Sequence, residues 1–233
     1  MKKQRRSKKP ASRWQTAVST RRQHRNHVPD VQVPDSEVAA IVLAAGASRR
    51  LGQPKQLVLL EGEPLLRRIV RLALEAGCSP VVVVLGAIDE PCRQALATLP
   101  PVLLPALRIV VNPDWAEGMS TSLRAGCAAL SAAHPPESTL ILVTDQFRLT
   151  AGSLAQLLRA HAQSTAPVTA ALYSGRLGVP AIFRRQLLPA LASLFGDQGA
   201  RHLLAAWANQ ATAVPLPEAA DEVDTPEDLA SLQ

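Results

Sequence analysis

The stretch VAAIVLAAGASRRLGQPKQL, residues 38–57, decides how the rest of the chain reads. Val38 to Leu43 form a continuous apolar run, the pattern of a parallel strand buried on both faces. Small residues follow at once: Ala44, Ala45, Gly46, Ala47 and Ser48. Small side chains let the backbone come close to a ligand and aim its N–H groups at an anion. Arg49 and Arg50 add cationic donors and Lys55 a compact ammonium. Lys55 is the only lysine between residues 10 and 233, in a body that otherwise uses arginine. The spacing is neither the GxxxxGK[ST] phosphate loop nor the GxGxxG dinucleotide turn. The stretch therefore predicts a buried strand that opens into an anion-binding loop.

Strand and helix patterns alternate away from this stretch. Residues 64–76 carry Leu65, Leu66, Ile69, Val70, Leu72 and Leu74 on one broad apolar face ahead of Gly77, which predicts a helix with a glycine stop. PVVVVLG (80–86), LRIVVN (107–112) and TLILVT (139–144) read as strands, and 167–173, 179–183 and 212–216 as further ones. Helices are predicted over 88–98, 119–132, from Thr150 onward, and over 185–194, 198–208 and 226–232. This alternation predicts an α/β fold: a Rossmann-like open, mostly parallel sheet with helices on both faces. In such a sheet ligands bind beyond the carboxyl ends of the strands, where strand order reverses.

Composition bounds the function. Of 233 residues 47% are apolar but only 3% aromatic, so the core must be built from Ala, Leu and Val. No apolar run approaches the 18 or so residues of a membrane span. Ten of the 25 basic and one of the 19 acidic residues fall in residues 1–30, which leaves +9 there and −3 in the remainder. The strongly basic character therefore belongs to residues 1–37, expected to be a disordered extension and linker ending near Pro29 and Pro34. Residues 38–233 are expected to form the one domain. No apolar h-region follows the paired arginines, so no export signal is expected, and no specific nucleic-acid role. Cys78, Cys92 and Cys127 include no CxxC pair, which fits a reducing cytoplasm and not a disulfide scaffold. Cys127, with Met119 and Leu123 at helical spacing, reads as a core residue. His161, on the stripe of Leu154, Leu157 and Leu158, reads as core-edge.

LAAGASRRLGQPKQL followed by EGEPLL resembles the signature LAAGxSxRMGxxK…GxPLL of the molybdenum-cofactor nucleotidyltransferase superfamily. The resemblance runs from about residue 38 to 230. It implies that Leu43, Ala44, Ala45, Gly46, Ser48, Arg50 and Lys55 wrap a nucleoside triphosphate. Leu51 stands where the family usually has Met. NPDWAEGMSTSLRAG (112–126) is similar to NPxWxxGMxxSLxxG and adds Asn112, Gly118, Met119 and Ser122 to the nucleotide-binding set. The alternative reading of that segment is a capped helix start with Met119 and Leu123 in the core.

TLILVTDQF places Asp145 directly beyond an apolar strand, where it looks like the family's metal-binding aspartate; Phe147 stands where the family usually has Pro. DEVDTPEDL (221–229) resembles DIDTPEDL and offers Glu222 or Asp224 as a second ligand for Mg2+, a cation that takes only one or two protein carboxylates. Thr225 and Pro226 read as a helix cap and first turn. YSGRLGVPAIF (173–183) and FGDQGAR (195–201) resemble the acceptor side, which implies roles there for Gly175, Gly178, Pro180, Asp197 and Arg201. Asp197 reads equally well as the cap of the helix at 198–208.

The resemblance thus implies a magnesium-dependent enzyme joining CMP from CTP to the terminal phosphate of a molybdopterin-type cofactor, with catalytic Arg50, Lys55 and Asp145. A molybdoenzyme or its chaperone is the expected recipient of the product. A guanylyltransferase for the same cofactor and a cytidylyltransferase for another phosphate are the neighbouring readings. A polyanion-binding protein with a silent nucleotide-binding body is the non-enzymatic one. Related guanylyltransferases commonly read LAGG where this chain has Leu43-Ala44-Ala45-Gly46. The Ala45 methyl is accordingly expected to favour a pyrimidine.

Overall fold

The computed structural model describes residues 38–131 and 135–229. The basic segment 1–37 and the end of the last predicted helix lie outside the described residues.

Among the described residues nine strands appear in chain order: β1 (Val38–Ala44), β2 (Leu59–Leu60), β3 (Glu63–Pro64), β4 (Val81–Leu85), β5 (Leu107–Val111), β6 (Ser138–Val143), β7 (Val168–Tyr173), β8 (Arg176–Arg184) and β9 (Ala211–Pro215). Seven of them form one sheet in the order β5-β4-β1-β6-β8-β7-β9. β8 alone runs antiparallel to its neighbours β6 and β7, and the other pairings in the sheet are parallel. The chain steps from β1 out to β4 and β5, then returns to place β6 on the other flank of β1. Strand order therefore reverses between β1 and β6, and the loops leaving those strands meet there. The β2–β3 hairpin, which the sequence reading missed, lies between the small-residue loop and the first helix.

Each central strand feeds two cores through its period-2 alternation. Ala40, Val42, Val81, Val83, Leu140 and Leu142 face α1 (Leu65–Glu75), α2 (Asp89–Ala97) and α4 (Ala151–Gln163). Ala39, Ile41, Val82, Val84 and Ile141 face α3 (Met119–Ser131), α5 (Leu188–Ala192) and α6 (Ala200–Ala206). The continuous apolar runs follow from this, since neither face meets water.

Helix boundaries follow local chemistry. Thr150 caps α4 by accepting from the Ser153 N–H, and the Ser153 hydroxyl reciprocates. The helix expected over 185–194 splits into a 3-10 turn, Arg185–Leu187, and the short α5, with Pro189 in the first turn of α5. α6 begins after Gly199 with no side-chain cap, so Asp197 is not its cap. α7 (Pro226–Leu229) starts where Thr225 and Pro226 place it. All three cysteines are free and buried, with burial first raising the thiols to about 12 for Cys78 and about 11 for Cys92 and Cys127. They are inert core residues. His161 is fully interior and not core-edge. Among the described residues no helix is long and apolar enough to cross a membrane.

Candidate active site

Three loops converge at the carboxyl end of the sheet. The first leaves β1 and carries Arg50 and Lys55; the second leaves β6 with Asp145; the third is the segment before α7, with Glu222 and Asp224. A small apolar cluster of Leu51, Val58, Leu65, Phe147 and Val223 contains residues from all three. Leu51 and Phe147, which depart from the resembled pattern, are two of its buried members. Backbone bonds complete the junction: the Val223 N–H donates to the Asp145 carbonyl at 3.1 Å, and Gln146 bridges Glu222 in antiparallel fashion. Asp224 is held by its own backbone, because the Asp228 carboxylate accepts from the N–H groups of Asp224 and Thr225 at 2.9 and 2.8 Å. Those two bonds keep the Asp228 carboxyl below the usual range.

The charges on these loops are paired with one another. The Lys55 ammonium donates to Asp145 Oδ2 and, at 3.1 Å, to Asp224 Oδ1. Arg50 donates to the other oxygen of Asp224 at 2.9 Å. The Lys55 and Asp145 side chains are only 21% and 13% exposed, so this pair is poorly screened by water. Burial works to lower the Lys55 pKa, but Asp145 and then Asp224 outweigh it, and the ammonium is held above the ordinary lysine value. Burial, then the Asp145 charge, pushes Glu222 in the opposite direction for an acid, up from the carboxylate range, with Arg201 opposing.

Asp145 Oδ1 is buried and has no hydrogen-bond partner. A hard cation prefers such an unengaged carboxylate oxygen. Among the described residues no three His, Cys, Asp or Glu groups stand together as a ready metal centre. The geometry instead offers two carboxylates on one ammonium, a donor set of the size that magnesium uses.

Two adjoining cavities of about 350 and 360 Å³ open over this cluster and share Leu43, Lys55, Met119, Val143, Asp145 and Asp197. Ala45, Gly46, Arg49, Trp115, Gly118 and Ser122 line the first. Arg50, Val179, Arg201, Glu222 and Asp224 line the second. Met119 is 46% exposed, so it faces the cavities while Leu123 alone enters the core. Gly118 has φ of +123°, and a Cβ there would lie 2.3 Å from the Gly196 carbonyl oxygen, so the loop carrying Asp197 rests directly on the start of α3.

Other sequence-predicted residues take different places. Asn112 does not line either cavity: its amide donates to Thr121 Oγ1 at 2.8 Å and Ser122 Oγ at 3.0 Å, and its oxygen accepts from the Asp114 N–H at 3.0 Å. It pins the start of α3. Ala44 is the buried last residue of β1. The Ser48 hydroxyl accepts from the Lys55 N–H at 3.0 Å and so closes the loop on itself. Gly175, at the β7–β8 turn, shares a separate depression with Arg201. Gly178 lies against the Tyr173 ring, and Pro180 follows Val179 in β8.

Three residues escaped the sequence reading. Gln56 is 1% exposed and bonds to the loop from behind. Gly86 directly follows β4, where a Cβ would lie 2.8 Å from both the Ala45 and the Trp115 Cβ atoms, and the glycine after VVVVL was the available signal. Gln146 donates to the carbonyls of Val179 and Ala219 at 2.7 and 2.8 Å, tying the Asp145 loop to β8 and to the segment before Glu222.

A family model described as "MobA-like NTP transferase domain" matches residues 40–213. Nicotine blue oxidoreductase of Paenarthrobacter nicotinovorans is 38% identical over 176 residues, 72% of this chain and 81% of that protein. Molybdenum cofactor guanylyltransferase of Rhodobacter capsulatus is 30% identical over 205 residues, 83% of this chain and 93% of that protein. The crystal structure of a homologue of Mycobacterium tuberculosis Rv0371c, from Mycobacterium sp. strain JC1, superposes with a TM-score of 0.67 at 28% identity, covering 85% of this chain and 98% of that one.

Proposed function

The chain belongs to the MobA-like NTP transferase family, and on that premise we propose that it transfers CMP from CTP to the terminal phosphate of a molybdopterin-type cofactor and releases pyrophosphate. The observation that carries this reading is the Lys55 ammonium set between Asp145 and Asp224, facing the small-residue loop where strand order reverses. An oxygen of the acceptor phosphate attacks the α-phosphorus, the bond from that phosphorus to the bridging oxygen of the β-phosphate breaks, and pyrophosphate leaves with the electron pair. The acceptor phosphate is already a nucleophile, so the site works by alignment and charge stabilisation. Lys55 and Arg50 turn from their carboxylates to the departing pyrophosphate. Arg201 and Asp197, on the rim of the second cavity, orient the acceptor. Asp145, through its unpartnered Oδ1, and Asp224 or Glu222 are the residues to hold a magnesium ion, whose contribution is to neutralise the triphosphate.

Ala45 underlies the choice of base. It lines the first cavity, 5% exposed, packed against Gly86 and near Trp115. The methyl narrows the wall there and favours one ring over two. One methyl is worth roughly 1–3 kcal/mol of discrimination, because shape alone rejects larger ligands weakly. Comparing kcat/KM for CTP and GTP in the parent and in Ala45→Gly tests this: CTP wins in the parent, and Ala45→Gly narrows the ratio. A parent that prefers GTP contradicts the cytidylyl reading. An unchanged ratio in Ala45→Gly contradicts its explanation.

The relative named nicotine blue oxidoreductase supports a second reading, two-electron transfer between a pigment of that kind and a nicotinamide dinucleotide added as the co-reactant. A change of nicotine blue matched by an equal change of the nicotinamide, without pyrophosphate release, separates it from nucleotidyl transfer. The free buried thiols fit a reducing, cytoplasmic setting, and the product passes to a molybdoenzyme or its chaperone.

A further inference from the structure

Gln56 carries no role in the transfer outlined above, yet every polar atom of its side chain is engaged at the loop that bears Lys55. Its Nε2 donates one hydrogen to the Ala44 carbonyl at 2.9 Å and the other to the Gly46 carbonyl at 2.7 Å. Its Oε1 accepts from the Ser48 hydroxyl at 3.4 Å, and that hydroxyl accepts from the Lys55 N–H at 3.0 Å. A carboxamide has two N–H donors, and both are committed here. In a trans peptide the carbonyl and the following N–H point to opposite sides. Drawing the carbonyls of Ala44 and Gly46 toward buried Gln56 therefore turns the N–H groups of Ala45 and Ala47 away from it. Ala45 and Gly46 line the cavity, while Gln56, 1% exposed, lies behind the loop.

We propose that Gln56 is the positioning residue of the polyphosphate-binding loop. Its carboxamide fixes two peptide planes so that their N–H groups face the triphosphate, and through Ser48 it sets the backbone that carries Lys55. The side chains at 55 and 56 thus divide the work of one 3-10 turn, Lys55–Leu57. Lys55 faces the carboxylates and Gln56 holds the loop from behind. This inference rests on the reading that the loop takes a nucleoside triphosphate.

The test uses the full chain with tripolyphosphate and cytidine as separate probes, as competitive inhibitors and by calorimetry. Gln56→Met keeps the length and removes both donors. It is expected to weaken tripolyphosphate and raise the nucleotide KM by about tenfold, the equivalent of two modest hydrogen bonds. Cytidine affinity should stay within about twofold of the parent, on the same argument that only the phosphate-facing N–H groups are disturbed. Gln56→Glu replaces the donor nitrogen by an oxygen that repels both carbonyls, and it is expected to lose at least as much; it is the second variant should Gln56→Met fail to fold. A variant that folds and keeps the parent's tripolyphosphate affinity overturns the inference. Equal losses for tripolyphosphate and cytidine also overturn it, since they mark a general loosening of the site. A parent that binds no tripolyphosphate overturns the nucleotidyl-transfer reading itself, a result distinct from either of these.

Discussion

Lys55, Asp145 and Asp224 come from positions up to 169 residues apart and share one ammonium. Loss of a preorganised charge in such a site commonly costs 10² or so in turnover, about 2.7 kcal/mol or more. Lys55→Ala and Asp145→Ala should each lower kcat by at least that factor while circular dichroism shows an unchanged fold. Parent-like rates in both variants contradict the site. These two residues were legible in the sequence for physical reasons: one broke an arginine bias beside a small-residue loop, the other stood at the end of a buried strand. Gln56 was not legible, because its partners are backbone carbonyls whose direction only the folded turn defines. Asn112 was legible as a site residue for its neighbours, yet its amide is consumed in holding α3. His161 supplies a second test. It lies between Ser138 Oγ at 2.8 Å and Thr169 Oγ1 at 3.0 Å, and burial, then Arg184, lowers its pKa from 6.5 to about 4. The folded value lies below the unfolded one, so this contribution to stability is complete above about pH 6.5 and is lost as pH falls toward 4. The loss is at most about 3 kcal/mol. Urea unfolding at pH 7 and pH 5 should show it in the parent and a flatter difference in His161→Gln; equal slopes contradict the assignment.

At the scale of elements, the central strands β1, β4 and β6 coincide with the continuous apolar runs, because burial on both faces leaves little room for other residues. Direction was not written in that pattern. The reversal of β8 comes from the tight Ser174-Gly175 turn that pairs it with β7. The short helices were the least legible, since α5 and α6 are interrupted by local turns and not by any change in apolar spacing. The three active-site loops depend on the cluster of Leu51, Val58, Leu65, Phe147 and Val223. Phe147→Ala should cost about 3 kcal/mol in denaturant unfolding, in the range for removing a buried phenyl ring. It should also lower turnover in the fraction that remains folded, because the loops bearing Lys55, Asp145 and Asp224 lose their common support. Full turnover per folded molecule contradicts that coupling.

At the scale of the molecule, one sheet places two adjoining cavities over a shared floor of Lys55 and Asp145, room for a donor on one side and an acceptor on the other. The arrangement follows from the reversal between β1 and β6, and it is why two loops distant in sequence can act on one phosphorus. Family membership and geometry agree on a nucleoside triphosphate as the natural occupant, whereas the relative named as an oxidoreductase marks the competing chemistry. The most direct measurement is mass spectrometry of the products after the full chain is incubated with magnesium, all four nucleoside triphosphates and molybdopterin cofactor. Cytidylyl transfer predicts a cofactor carrying one CMP, with an equal amount of pyrophosphate, and initial rates of both lower by about 10² or more in Asp145→Ala. A folded parent that forms no nucleotide adduct from any of the four triphosphates contradicts it.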